Sequence, residues 1–197
     1  MKKWIKTLLW IASSIVTVFV VGLTGVYFWL SVKWTDFYTE NEMQIMTREI
    51  ASTEPLPDKF YYAYDKIYPD QRNRSLAKMS FQSIWYTLTM NNDRLRNQKQ
   101  CNSILATRFF ESKVSINYHS WASYITAHGF EKYTSESKCL DYVYHQFEID
   151  SLADKYFSQP LEKLTIKQNI ELILRIKNPA LYDKKPEMLE SVLKKYE

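Results

Sequence analysis

Residues 8–30, LLWIASSIVTVFVVGLTGVYFWL, run for 23 positions without a charged side chain. As a helix rising about 1.5 Å per residue, the run reaches across a hydrocarbon core of about 30 Å. Lys2, Lys3 and Lys6 precede it, and Trp4, Trp10, Trp29 and Trp34 stand near its two ends. Lysines hold the short side in the cytoplasm, and indoles favour the headgroup zone. A cleaved secretory signal would have an apolar region of about 7–15 residues and then a small-x-small cleavage site. This run is longer, and no Ala-x-Ala follows it. The expectation is a retained single-pass anchor in the inner (cytoplasmic) membrane. A cytoplasmic stub occupies residues 1–7, the anchor 8–30 and a juxtamembrane helix 31–54. The rest lies in the periplasm or extracellular space.

The anchor changes what the net charge of +4 means. Lys2, Lys3, Lys6 and Lys33 all precede the first acidic residue of the chain. Setting these four aside from the 26 Lys and Arg leaves 22, against 22 Asp and Glu. The excess is an orientation signal and not the basic footprint of a nucleic-acid binder. About 160 residues remain beyond the anchor, enough for one domain with its own core.

Other residue types narrow the chemistry. Beyond the anchor the only glycine is Gly129, and no G-x-G-x-x-G, P-loop or G-x-S-x-G occurs. Loops that cradle phosphates with backbone amides generally need several glycines. His119, His128 and His145 show no metal-ligand spacing. Cys101 and Cys139 would lie in an oxidising compartment, where either a disulfide or two buried thiols is compatible with the sequence.

Apolar residues beyond the anchor recur at helical intervals. Val32 to Ser52 reads as a helix continuing outward, until Pro55-Leu56-Pro57 breaks it. Further helical runs follow: Leu76, Met79, Ile84, Trp85 and Leu88; Ile104, Leu105, Phe109 and Phe110; Leu140, Val143 and Tyr144. Thr165-Ile166-Lys167-Gln168 fits a capping box. A prolyl turn, Asn178–Lys185, is expected to join that helix to a last one from Glu187 to Tyr196. Most of the fifteen tyrosines and ten phenylalanines read as core. The trio Phe60-Tyr61-Tyr62 is the best candidate for an exposed aromatic patch.

The C-terminal third resembles the peptidoglycan glycosyltransferases of family 51, the transglycosylase module of class A penicillin-binding proteins and monofunctional transglycosylases. Their segment A-A-R-Y-Y-F-G-K-P-x-x-E-L-T-L, followed by P-x-x-Y, aligns without a gap to residues 152–182. Ala153, Tyr156, Phe157, Pro160, Leu164, Thr165, Pro179 and Tyr182 keep their identity. Residues 134–141 look like the family's S-K-D-E-I-L-E helix, and Ile104–Phe110 like its Q-L-A-K-N-L-F. The resemblance implies a mainly α, lysozyme-like helical domain over residues 55–197, behind one N-terminal transmembrane helix.

It also implies a chemistry. In that family a glutamate acts as general base on a sugar 4-hydroxyl, which displaces a lipid pyrophosphate. A second glutamate and basic residues, often with a divalent cation, manage the leaving diphosphate. The first motif, E-D-x-x-F-x-x-H-x-G, falls on Tyr64 to Asn73. Asp65 is kept and Tyr68 is close to the phenylalanine, but Tyr64 replaces the glutamate, Gln71 the histidine and Asn73 the glycine. Tyrosine, with a pKa near 10, is a poor base at neutral pH. The second motif, G-S-T-I-T-Q-Q, falls on Gln98–Ile104 and keeps almost nothing. The third, R-K-x-x-E, falls on His119, Ser120 and Ser123, so its basic pair and its glutamate are both replaced.

The expectation is a transglycosylase-like envelope protein without catalysis, serving binding or scaffolding in peptidoglycan-related processes and needing no cofactor. Its expected partners are the membrane, a lipid-linked peptidoglycan precursor or glycan, and envelope proteins. The alternative is an active polymerase of lipid-linked disaccharide, using a divalent cation and Asp65, Asp70 or Glu131 as its acids.

Overall fold

A computed structural model of the protein describes residues 2–91, 93, 94, 100–113 and 120–196. Among these residues every regular element is helical and there is no strand. α1 (Lys2–Val32) runs unbroken. The hydroxyls of Thr17, Thr24 and Ser31 donate to the carbonyls of Ser13, Val20 and Phe28, which hides their polarity along an apolar helix. α1 is long and apolar enough to cross a membrane, and no residue of its most apolar stretch is buried.

The helix does not continue smoothly to Ser52. A 3₁₀ turn, Lys33–Asp36, ends it, and α2 (Glu40–Ser52) starts afresh. The cause is a capping box that periodicity alone conceals. The Glu42 amide donates to the Thr39 side chain, while the Thr39 amide donates 2.8 Å to the Glu42 carboxylate. α2 then turns Met43, Thr47 and Ile50 inward. Trp34, Met43 and Ile50 share one core with Phe60, Leu140 and Ile173, so residues on both sides of Pro55-Leu56-Pro57 belong to the same hydrophobic body.

Beyond the prolines come α3 (Asp58–Ile67), α4 (Leu76–Leu88), α5 (Asn102–Lys113), α6 (Ser120–Tyr133), α7 (Glu136–Gln146), α8 (Ile149–Phe157) and α9 (Ile166–Lys177). α5 packs between α6 and α7, α3 packs on α9, and α6 meets α1, α2 and the 3₁₀ turn. That last approach explains the position of the domain's glycine. A Cβ on Gly129 would lie 2.4 Å from Met43 Cε and 3.0 Å from the Trp34 ring.

At the C-terminus the expected turn is itself a short helix, α10 (Pro179–Lys184), followed by α11 (Pro186–Leu193). Each begins with proline, which suits the first helical position because the amide there needs no helical partner. The aromatic trio also divides: Phe60 is fully buried, Tyr61 is half-buried and only Tyr62 is exposed. α3 turns Phe60, Ala63 and Tyr64 to one side, and that side faces the core. Phe60 meets Tyr144 edge-on at 4.8 Å, and Phe110 stacks on Tyr142 at 5.2 Å. Cys101 and Cys139 are buried, unbridged thiols.

Candidate functional site

The stretch aligned with the first motif begins inside α3 and leaves the core as the helix ends. Tyr64 shares the inward face with Phe60. Its hydroxyl donates 3.3 Å to Asn102 Oδ1 at the start of α5. Burial, with Tyr68 and Glu136 nearby, raises the Tyr64 phenol far above its ordinary pKa. One residue on, about 100° around the helix, Asp65 emerges and pairs with Arg72 at 3.3 Å. Tyr68 caps α3, half-buried, its ring 5.1 Å from that of Tyr64, and burial pushes its pKa up to about 12. The chain then reverses through Asp70, at φ 61°, a left-handed conformation that aspartate tolerates better than most residues. Gln71 fastens the turn: its amide donates to the Tyr68 carbonyl at 3.1 Å, and its side-chain oxygen accepts from Arg74 Nη1 at 2.8 Å.

Two open clefts flank this turn. Asp65, Pro69, Asp70, Arg72, Asn73 and Lys78 line one of about 460 Å³. Pro69, Asp70, Gln71, Arg74, Gln82, Tyr86 and Arg94 line the other, about 300 Å³. The first sets Arg72 and Lys78 against Asp65 and Asp70, an even balance, whereas the second sets Arg74 and Arg94 against Asp70 alone, which suits an anionic polar ligand.

Ser123 lies elsewhere. It is buried on α6, and its hydroxyl donates 2.6 Å to Glu111 near the end of α5. Tyr64 contacts the first residue of α5, and Ser123 contacts one nine positions further on. At 1.5 Å per residue the two contacts are about 14 Å apart. The structure therefore brings Tyr64, Asp65, Tyr68 and Gln71 together and leaves Ser123 at the other end of α5. Ser120 opens α6. His119 lies outside the described residues.

Behind the clefts lies an acid network of which the sequence reading names only Glu131, as a candidate acid of the active alternative. Glu136, in the first turn of α7, accepts from the Asn102 amide at 2.7 Å and the Ser103 amide at 3.3 Å, closing the free N-terminus of α5. Its carboxyl is close enough to feel the charge of Glu131, which accepts 2.6 Å from the Leu76 amide at the start of α4. Burial first, and the Glu131 charge after it, push Glu136 up to about 7. Burial likewise raises Glu131 and Glu111. Asp141 is a further buried acid and accepts from the Tyr61 hydroxyl at 2.5 Å. No local signal joins Glu131, Glu136 and Asp141 to their amide and hydroxyl donors, which stand 33 to 85 residues away along the chain.

Among the described residues no cluster of three or more potential metal ligands occurs. No protein-family model, curated protein or solved structure matches this chain.

Proposed function

We propose that this chain is a membrane-anchored, transglycosylase-like protein of the bacterial cell envelope that binds or scaffolds without polymerising glycan. On this reading α1 is the anchor, its basic end is cytoplasmic, and the helical domain is lysozyme-like and lies on the far side of the inner membrane. The motif likeness over residues 152–182 and the order of anchor and helices support the family assignment.

One observation carries the non-catalytic part. The position aligned with the general base is a tyrosine in the core, committed to Asn102 and with a pKa far above neutrality. It has neither access to a sugar hydroxyl nor the basicity to take its proton. Asp65 does reach the cleft, but it is paired with Arg72. The second cleft, with Arg74 and Arg94 against Asp70, keeps a positive surplus suited to a diphosphate or an acidic glycan, so binding of a lipid-linked precursor survives where catalysis does not.

The test is a polymerisation assay on the full chain in proteoliposomes, with lipid-linked disaccharide and a divalent cation, beside a binding measurement on the same ligand. We expect no chain growth, and binding that weakens in Arg94→Glu, which reverses the exposed cation of the second cleft. General-base catalysis typically contributes about 10²–10⁴-fold, so growth at rates typical of an enzyme would require a base. Growth abolished in Asp65→Asn would establish the chain as an active glycosyltransferase. Absence of both growth and binding would remove the ligand from this proposal.

A further inference from the structure

α4 has two faces of unusual character. Leu76 packs inward in a small core cluster with Cys101, Ile104 and Ala127, with Met79 against it. The opposite face is also apolar. Phe81, Trp85 and Leu88 recur at i, i+4 and i+7 and are 60%, 64% and 60% exposed, and Met90 just beyond is 84% exposed. With about 150–250 Å² for an aromatic side chain, the stripe leaves on the order of 500 Å² of apolar surface open, as much as the largest patch of a typical monomer. Between Asp70 and Asp93 there is no acidic residue, while Arg72, Arg74 and Lys78 lie in the same stretch. Aromatic and leucine side chains on the outer face of a helix whose only charged residue is Lys78 are the chemistry of a helix lying in a bilayer interface.

Its place in the fold says which surface it meets. Ser80 of α4 hydrogen-bonds the Tyr124 hydroxyl, Tyr124 meets His128 edge-on at 5.3 Å, and His128 meets Tyr27 of α1 at 5.2 Å. Tyr27 stands near the end of the uncharged run 8–30. α4 is thus tied through α6 to the part of the apolar helix that leaves the hydrocarbon core.

We propose that α4 is a second membrane contact, with Phe81, Trp85, Leu88 and Met90 immersed at the boundary between headgroups and acyl chains. The proposal rests on α1 spanning the bilayer. Lys78, Gln82 and Tyr86 of the same helix line the two clefts, so immersion sets both clefts at the lipid surface.

The test uses the full chain in vesicles of phosphatidylethanolamine and phosphatidylglycerol. Nitroxide-labelled cysteines are introduced one at a time at Val18, Phe81, Trp85 and Glu162. The native thiols are buried and held protonated by burial, which keeps the label at the introduced sites. Collision with oxygen reports lipid, and collision with a water-soluble nickel chelate reports water. We expect the oxygen-to-nickel ratio at Phe81→Cys and Trp85→Cys to exceed that at exposed Glu162→Cys severalfold, approaching that at Val18→Cys in the middle of α1. Nickel access at positions 81 and 85 with lipid exposure at 18 overturns this proposal and leaves the anchor standing. Nickel access at 18 overturns the anchor. Shielding of 81 and 85 from both probes means that a second copy of the chain covers the stripe, which also overturns the proposal.

Discussion

At Glu136 two physical effects oppose each other. The free amides of Asn102 and Ser103 favour a carboxylate there, while burial and the neighbouring Glu131 favour the acid, and the balance lies at about 7. An unfolded glutamate titrates near 4.3, so the folded protein keeps a proton that the unfolded chain releases between roughly pH 4.5 and 7. Stability from this residue is complete below that window and is lost as pH rises through it. Glu131, Glu111 and Asp141, all raised by burial, act in the same direction. His128 acts in the other: burial pushes it down to about 4, so its contribution is lost as pH falls from 6.5 toward 4. Comparing the native protein with Glu136→Gln isolates the carboxyl. Urea denaturation in detergent should show the native protein weakening between pH 5 and pH 8 by on the order of 1–3 kcal/mol more than the variant. Equal pH dependence in the two would mean that Glu136 does not titrate in this window.

Among the elements, caps and prolines were the legible signals. Thr165 accepts from the Gln168 amide and Gln168 accepts from the Thr165 amide at 2.9 Å, as the T-x-x-Q spacing implies. Thr165→Ala should lower stability by about 1 kcal/mol, read from the shift in denaturation midpoint at unchanged slope. A variant as stable as the native protein would mean that the cap adds nothing beyond water. The same reciprocal pattern at Thr39 and Glu42 was hidden because apolar residues keep a helical interval across the break. α4 shows the matching ambiguity. Its apolar period is a helical period, but period alone does not say that Leu76 faces a core while Trp85 and Leu88 face outward. The sequence places Pro179 at the end of one helix and Pro186 at the entrance to the last; Pro186 does start a helix, and Pro179 starts one as well, because a missing amide costs nothing at the first position.

For the molecule as a whole, the basic end of α1 and the neutral domain predict the orientation. A reporter that is active only outside the cytoplasm, fused after Glu197, should be active, and a cytoplasmic readout would reverse the topology. The sequence alone determined the long apolar helix, the helical class and the Thr165 cap, because each depends on residues within a few positions of one another. Tertiary structure alone decided that Tyr64 is core while Asp65 faces a cleft, that Glu111, Glu136 and Asp141 are buried, and that Tyr64 and Ser123 stand at opposite ends of α5. Those outcomes depend on which helices meet. A side chain's burial and its pKa are set by partners brought from distant parts of the chain, and helical periodicity records only that a face is apolar, not what covers it.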